Sequence, residues 1–94
     1  LLFALKNAPK AVARRSVAFI DDKNLVITTQ GGGVQHCRLD GELAGIWETF
    51  DSRRTGGLLA EDNLRQVHND GQRLWFVGDR GSLSSCNLKF GDWK

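Results

Sequence analysis

The sequence predicts an all-β fold built from two repeated antiparallel sheets. Three observations indicate this fold: an internal repeat, short β-prone runs separated by turn residues, and apolar runs without polar interruption. The repeat has an offset of 49 residues and matches Leu25, Gly32, Val34, Cys37 and Leu39 to Leu74, Gly81, Leu83, Cys86 and Leu88. A fixed period of this size is typical of repeat architectures.

Composition limits the size of the folded unit and the kinds of partner. With 94 residues, 40% of them hydrophobic, the chain is expected to form one small globular unit. The net charge of +2 is small, and its excess lies at the start, where four basic residues precede the first acid. No run approaches the roughly 18 to 20 apolar residues of a membrane span, so we expect no membrane association.

The elements of the first unit follow in chain order. Residues 1–15 are predicted as a basic N-terminal arm, in which residues 1–5 would be the last strand of a preceding sheet. Residues 16–50 form the first repeat. Its predicted strands are 16–20, 25–29, 34–39 and 44–50, with polar turn residues at 21–24 and glycines at 31–33.

The second unit repeats this order after a connector. Residues 51–63 lack periodicity and are predicted as a mobile Arg/Gly loop and connector. Residues 64–94 form a second, incomplete repeat with strands at 64–68, 74–77 and 83–88. Trp93 takes the place of the fourth strand. Both 25–27 and 74–77 are unbroken apolar runs, so we expect each of these strands to be covered on both faces.

The cysteines bear on the compartment. Two cysteines are too few for the disulfide framework of a small secreted domain. Cys37 and Cys86 occupy equivalent repeat positions, so we expect them on corresponding strands, buried and unpaired. This favours a reducing intracellular compartment, and the acid-free, Arg-containing start would also suit a mitochondrial presequence.

Two segments of the chain follow a strand and a glycine turn, namely residues 33–41 and 81–88. They resemble the third-strand segment of WD-repeat β-propeller blades, with Cys37-Arg38 and Cys86-Asn87 at the place of that family's Trp-Asp pair. Residues 17–19 with the following Asp21-Asp22 resemble the first strand and turn of such a blade. A second family is also similar: residues 75–81 through 91–93 resemble blades of the BNR or Asp-box type.

Either resemblance implies a propeller, which closes its ring with about four to eight blades. This chain supplies about two. It would therefore be part of a larger propeller, close a ring by homo-oligomerisation, or fold as the two halves of a small β-sandwich or barrel. We favour the first interpretation, because the repeat begins and stops within a blade.

Candidate catalytic and metal sites are weak in this sequence. Gly31-Gly32-Gly33 would cradle a phosphate only if a helix followed, and a strand is predicted there. His36, Cys37, His68 and Cys86 are donors that zinc prefers, but only the first two are close in sequence. We therefore predict no catalytic residues, no metal site and no cofactor, and we interpret the chain as a non-enzyme.

Candidate binding residues are basic or aromatic. The pairs Arg14-Arg15 and Arg53-Arg54 could grip phosphates or an acidic partner, and Trp47 and Trp93 could serve as ligand platforms. Solvated charge and core packing are the competing interpretations of these residues.

Three functions follow from these patterns. The first is a non-enzymatic scaffold that holds partner proteins, or the remaining blades of its own propeller, within a larger assembly. The second is a nucleic-acid-binding accessory subunit that uses the arginine pairs. The third is part of an Asp-box-type enzyme or glycan-binding propeller, with Asp70, Asp79 and Asp92 near its turns.

Overall fold

A computed structural model of the protein describes residues 13–40, 45 and 47–94. The predicted strand at 1–5, most of the predicted arm, and positions 44 and 46 of the predicted fourth strand lie outside the described residues. Within the described part of the chain the fold is all-β, as predicted. Its strands are β1 Ala13–Asp21, β2 Asn24–Gln30, β3 Val34–Arg38, β4 Trp47–Phe50, β5 Leu64–Asn69, β6 Arg73–Gly78 and β7 Leu83–Asn87. None of the described residues forms a helix that could span a membrane.

The strands form two antiparallel sheets. Sheet 1 has the order β1-β2-β3-β4, and sheet 2 has the order β5-β6-β7. Each strand pairs with the next along the chain, so both sheets are simple meanders. The pairing register aligns β1 with β5 at an offset of 50, because Val17 pairs with Ile27 as Val67 pairs with Phe76. Strand β1 is therefore shifted by one residue relative to the 49-residue repeat, and a register irregularity follows Phe19.

The turns form where polar residues and glycines predict them. Asp21 Oδ1 accepts hydrogen bonds from Lys23 N and Asn24 Nδ2 in the first hairpin. In the second hairpin the amide of Gly32 donates to Thr29 Oγ1, while those of Gly31 and Gly33 donate to Asp62 O. These three amides are thus already used within the protein, which supports the interpretation of the glycine run as a turn.

Each sheet has a front and a back, because cross-strand partners share a face and alternate residues of a strand face opposite ways. The front of sheet 1 carries Val26, Val34 and Phe50, which belong to the buried core. The other core residues are Leu64, Leu74, Phe76 and Cys86 on one face of sheet 2, together with Leu59 of the connector. The core therefore lies between the front of sheet 1 and this face of sheet 2, which we call its back.

The two sheets stack in the same sense. The 49-residue offset maps the front residues Val26 and Val34 onto Trp75 and Leu83, which lie on the face of sheet 2 away from the core. It maps Leu25, Ile27 and Cys37 on the back of sheet 1 onto Leu74, Phe76 and Cys86. Equivalent residues thus face the same direction along the stack, and the front of one sheet packs against the back of the next.

This arrangement corrects one prediction about burial. Leu25, Val26 and Ile27 are all buried, as the unbroken apolar run predicts. The matching run at 74–77 is not covered on both faces: Trp75 is half-buried and Val77 is 37% exposed. The reason is that no other described sheet packs against the front of sheet 2.

The ends of the second repeat also differ from the prediction. Trp93 forms no fourth strand. The next residue, Lys94, pairs with β7, because Ser85 and Lys94 exchange both backbone hydrogen bonds at 2.9 and 2.8 Å. The connector is more ordered than a mobile loop would be. Its Leu59 is fully buried, and Asp62 accepts hydrogen bonds from the backbone N and the Oγ of Ser52.

Two glycines allow a test of the turn geometry. Gly33 and Gly71 both have positive φ, but a Cβ at Gly33 would overlap Phe50 O, whereas a Cβ at Gly71 would meet nothing within 4 Å. We expect Gly71→Ala to cost about 1–2 kcal/mol for the backbone conformation alone. Gly33→Ala should cost about 2–5 kcal/mol, because the clash adds to that strain. Urea unfolding of both variants measures the difference, and equal losses would contradict the close approach at Gly33.

Candidate interaction surface

The front of sheet 2 carries an exposed apolar patch formed by Trp75, Val77 and Leu83. Val77 and Leu83 are direct cross-strand partners, 37% and 64% exposed. Trp75 is half-buried and lies two residues before Val77, on the same face. Because cross-strand partners lie side by side, these side chains form one continuous surface.

The same positions are buried where the repeat already has a neighbour. Val26, Thr28 and Val34, the equivalents of Trp75, Val77 and Leu83, are all 0% exposed under the back of sheet 2. One of these positions changes from polar to apolar, since Thr28 corresponds to Val77. The sequence of sheet 2 is therefore no less suited to burial on this face than that of sheet 1.

Polar contacts hold the edge of the patch in place. Trp75 Nε1 donates to Asp70 Oδ2 at 2.8 Å, and Asp70 Oδ1 accepts from the amides of Gln72 and Arg73. The Arg73 amide, the Trp75 indole and the Gln72 amide, in that order of effect, lower the pKa of Asp70 to about 2. Arg73 in turn donates to Ser85 Oγ and forms an ion pair with Asp92.

A second charged cluster joins the edge strands β1 and β5 of the two sheets to Asp79, which follows β6. Arg15 Nη1 lies 2.8 Å from both carboxylate oxygens of Asp79, and Arg65 Nε lies 3.0 Å from one of them. These two guanidinium groups, Arg15 first, lower the pKa of the Asp79 carboxyl. Of the three acids considered for an Asp-box-type site, each is thus bound within the protein by an arginine or by turn amides and an indole.

The four predicted arginines do not converge on one surface. Arg14 Nε donates to Gln35 Oε1, and its guanidinium lies 5.5 Å from the centre of the Trp47 ring, on the back of sheet 1. Arg15 lies between the sheets, as described above. Arg54 forms an ion pair with Glu48 at 2.7 Å and lies over the Phe50 ring, while the Arg53 side chain is exposed.

Trp93 packs against the core. Its ring centre lies 5.7 Å from that of Phe76 and 6.0 Å from that of Phe50, and its Nε1 donates to Phe90 O. Phe90 also stacks on Phe50, with their ring centres 4.7 Å apart. The interpretation of Trp93 as a packing residue is therefore supported by its contacts.

A cleft of about 450 Å³ opens between the sheets beside His36. His36 Nε2 donates to Asn24 Oδ1 at 2.9 Å, and its ring lies 4.8 Å from that of Phe90. Burial lowers the pKa of His36 more than the neighbouring Glu48 and Asp21 carboxylates raise it. The imidazole is therefore neutral at pH 7, with one nitrogen committed to Asn24.

Neither cysteine lines this cleft. Both are free and buried, as predicted. Burial raises the pKa of Cys86 to about 12 and also raises that of Cys37, so both are protonated at neutral pH. Among the described residues no three His, Cys, Asp or Glu side chains are grouped as metal ligands would be.

Sequence reasoning did not single out Val77 and Leu83 as surface residues. The repeat could have identified them. Val26, Thr28 and Val34 share one face of sheet 1, and the 49-residue offset maps them onto Trp75, Val77 and Leu83. What the repeat cannot supply is which of the two equivalent faces has a neighbour.

Asp70 gives a pH-dependent prediction. Its pKa in the folded chain, about 2, lies below the ordinary value of 3.8, so its carboxylate stabilises the fold above pH 3.8. That contribution is lost as the pH falls through about 2. Asp70→Asn should therefore lower stability at pH 7, with the difference from the parent protein shrinking below pH 3.8.

Urea unfolding followed by tryptophan fluorescence across this pH range measures the effect. Asp22→Asn in the first hairpin is the matched control, since the Asp22 carboxylate accepts no hydrogen bond within the described part of the chain. A loss for Asp70→Asn that stays constant down to pH 2 would contradict the assigned role.

Comparison of the chain with protein-family models, curated proteins and solved structures found no match.

Proposed function

We propose that this protein is a non-enzymatic scaffold of propeller-type sheet repeats, which holds partner proteins through the faces of its sheets. The observation that carries the proposal is the stacking of the two sheets in the same sense, front against back. Such stacking leaves the front of sheet 2 without a described sheet against it, and the exposed apolar residues Val77 and Leu83 suit this face to contact a further β-sheet.

The direction of stacking supports a propeller-type arrangement over two halves of a sandwich. Successive blades of a propeller are repeated radially and present the same face to the next blade. In a sandwich of two symmetric halves, equivalent residues of both halves would point into the shared core. Here Val26 points into the core, and its equivalent Trp75 lies on the outer face.

The chemistry of the front of sheet 2 is that of a protein interface. Its centre is aromatic and aliphatic, formed by Trp75, Val77 and Leu83, and Arg73 lies two residues before Trp75 on the same face. Interface centres favour aromatic residues and arginine and disfavour lysine and acids. The arginine pairs predicted to grip phosphates are divided among separate surfaces, and three of the four contact neighbouring side chains, so we do not advance nucleic-acid binding.

Site-specific photocrosslinking tests the proposal. A photoreactive phenylalanine analogue placed at position 83, in cells that produce the protein, should crosslink to protein partners. The same analogue at position 58 is the control, because Leu58 is comparably exposed at 53% but lies on the connector. Val77→Asp in the position-83 variant should abolish the adducts, since it buries a charge in the contact.

The adducts are identified by mass spectrometry of the crosslinked peptides. Crosslinks from position 83 to strand segments of a partner, absent from position 58, are the expected result. No protein adduct at position 83, or adducts that Val77→Asp leaves unchanged, would overturn the scaffold function.

A further inference from the structure

We propose that the cleft beside His36 binds a zwitterionic α-amino acid with an apolar side chain. Glu48 and His36 accept hydrogen bonds from its ammonium group, and Lys89 binds its carboxylate. The cleft, of about 450 Å³, has the size of a small-molecule pocket. None of the residues of the exposed apolar patch lines it, so the inference goes beyond the scaffold function and does not depend on it.

The wall of the cleft on sheet 1 presents hydrogen-bond acceptors. His36 and Glu48 are direct cross-strand partners on β3 and β4, so their side chains lie next to each other on one face. Glu48 Oε2 forms the ion pair with Arg54, and the carboxylate retains further lone pairs on Oε1. An ammonium group carries three N–H donors and is suited to two acceptors placed side by side.

A chain of hydrogen bonds fixes which nitrogen of His36 accepts. The Asn24 side chain, followed by the Lys23 amide, lowers the pKa of Asp21, so Asp21 is an ionised acceptor at neutral pH. Asn24 therefore turns its Nδ2 to Asp21 and its Oδ1 to His36 Nε2, which must donate. In a neutral imidazole the other nitrogen, Nδ1, is then the acceptor.

The Nδ1 acceptor is open to a ligand. Among the described residues, every buried side-chain nitrogen or oxygen has a hydrogen-bond partner. No described residue is a partner of His36 Nδ1, so this atom is reached by solvent. Because His36 lines the cleft, a ligand there can replace that solvent.

The opposite wall is formed by the turn that follows β7 in sheet 2. Asn87 Oδ1 accepts hydrogen bonds from the amides of Lys89 and Gly91, which fix this turn. Lys89 lines the cleft and forms no ion pair within the described part of the chain. Its ammonium group is therefore available to the carboxylate of a ligand.

Phe90 supplies the apolar part of the site. It has a φ of 60°, in a region that bulky residues rarely adopt and that is found most often at functional sites. This conformation places its ring 4.8 Å from that of His36 and stacked on Phe50. Ile20 and Leu88 extend the apolar lining, which suits an aliphatic ligand side chain.

The charges of the two walls select the ligand. A simple amine meets Glu48 and His36 but leaves Lys89 without a counter-charge, and a simple carboxylic acid does the reverse. An α-amino acid satisfies both walls at once. Because it contacts both sheets, its binding also stabilises the stacked arrangement.

An NMR titration of the full chain tests the site, with L-leucine as the probe up to about 10 mM, where weak binding is still measured. We expect saturable shifts of backbone amide signals in residues 87–91, β3 and β4. N-acetyl-L-leucine lacks the ammonium group and L-leucinamide lacks the carboxylate. Each should bind at least about tenfold more weakly than L-leucine.

Two variants separate the charged contacts. Glu48→Gln and Lys89→Gln each remove one charge from an exposed residue, so both should retain the circular dichroism spectrum of the parent. Each should weaken L-leucine binding at least about tenfold. Lys89→Gln should not weaken L-leucinamide further, since that probe has no carboxylate to lose. Asp22→Asn and Lys23→Gln, in the nearby hairpin but outside the cleft lining, are the matched controls.

The inference is overturned if L-leucine causes no shifts at about 10 mM, or if all three probes bind equally. It is also overturned if Lys89→Gln weakens L-leucine and L-leucinamide by the same factor, because the loss would then not come from a contact with the carboxylate. The scaffold function is tested separately, by crosslinking from position 83, and would survive either result.

Discussion

The fold depends on the burial of one sheet's front against the other sheet's back. Val26, Val34 and Phe50 meet Leu64, Leu74 and Phe76 there, and Leu59 of the connector joins them. Each such side chain contributes about 1.5–3 kcal/mol when fully removed from water. Neither sheet is expected to be stable alone, because a small meander must pack its apolar face against another element.

The connector, the aromatic residues and the ion pairs all serve this contact. The backbone carbonyl of Asp62 accepts hydrogen bonds from the amides of Gly31 and Gly33, which join the connector to the turn of the β2–β3 hairpin. Phe90 stacks on Phe50, and Trp93 stacks on Phe76. At the edge strands β1 and β5, the Asp79 carboxylate forms ion pairs with Arg15 and Arg65 and so links the two sheets.

Much of the fold could be predicted from local sequence patterns. Alternating turn residues and β-prone runs predicted, to within a few residues, the seven strands in the described part of the chain, and the repeat predicted two similar sheets. The burial of 74–77 could not be predicted in this way, because an unbroken apolar run indicates what a strand can cover, not what lies next to it. Leu59 was missed for a related reason: an aperiodic segment can still insert one leucine into a core formed by distant strands.

The candidate surface was less accessible to sequence reasoning than the fold. The arginine pairs were interpreted as possible phosphate ligands, yet Arg15 binds Asp79, 64 residues away along the chain. Such pairings depend on tertiary placement and leave no local pattern. The apolar patch could be located only once the direction of stacking was known.

The two buried thiols give each layer of the molecule its own internal reporter. Cys86 lies in the core between the sheets, whereas Cys37 is buried on the back of sheet 1. A thiol reagent can reach either one only when its layer opens, and the high pKa of Cys86 slows its reaction further. Comparing the alkylation rates of the two native thiols would therefore distinguish separation of the two sheets from opening of the back of sheet 1.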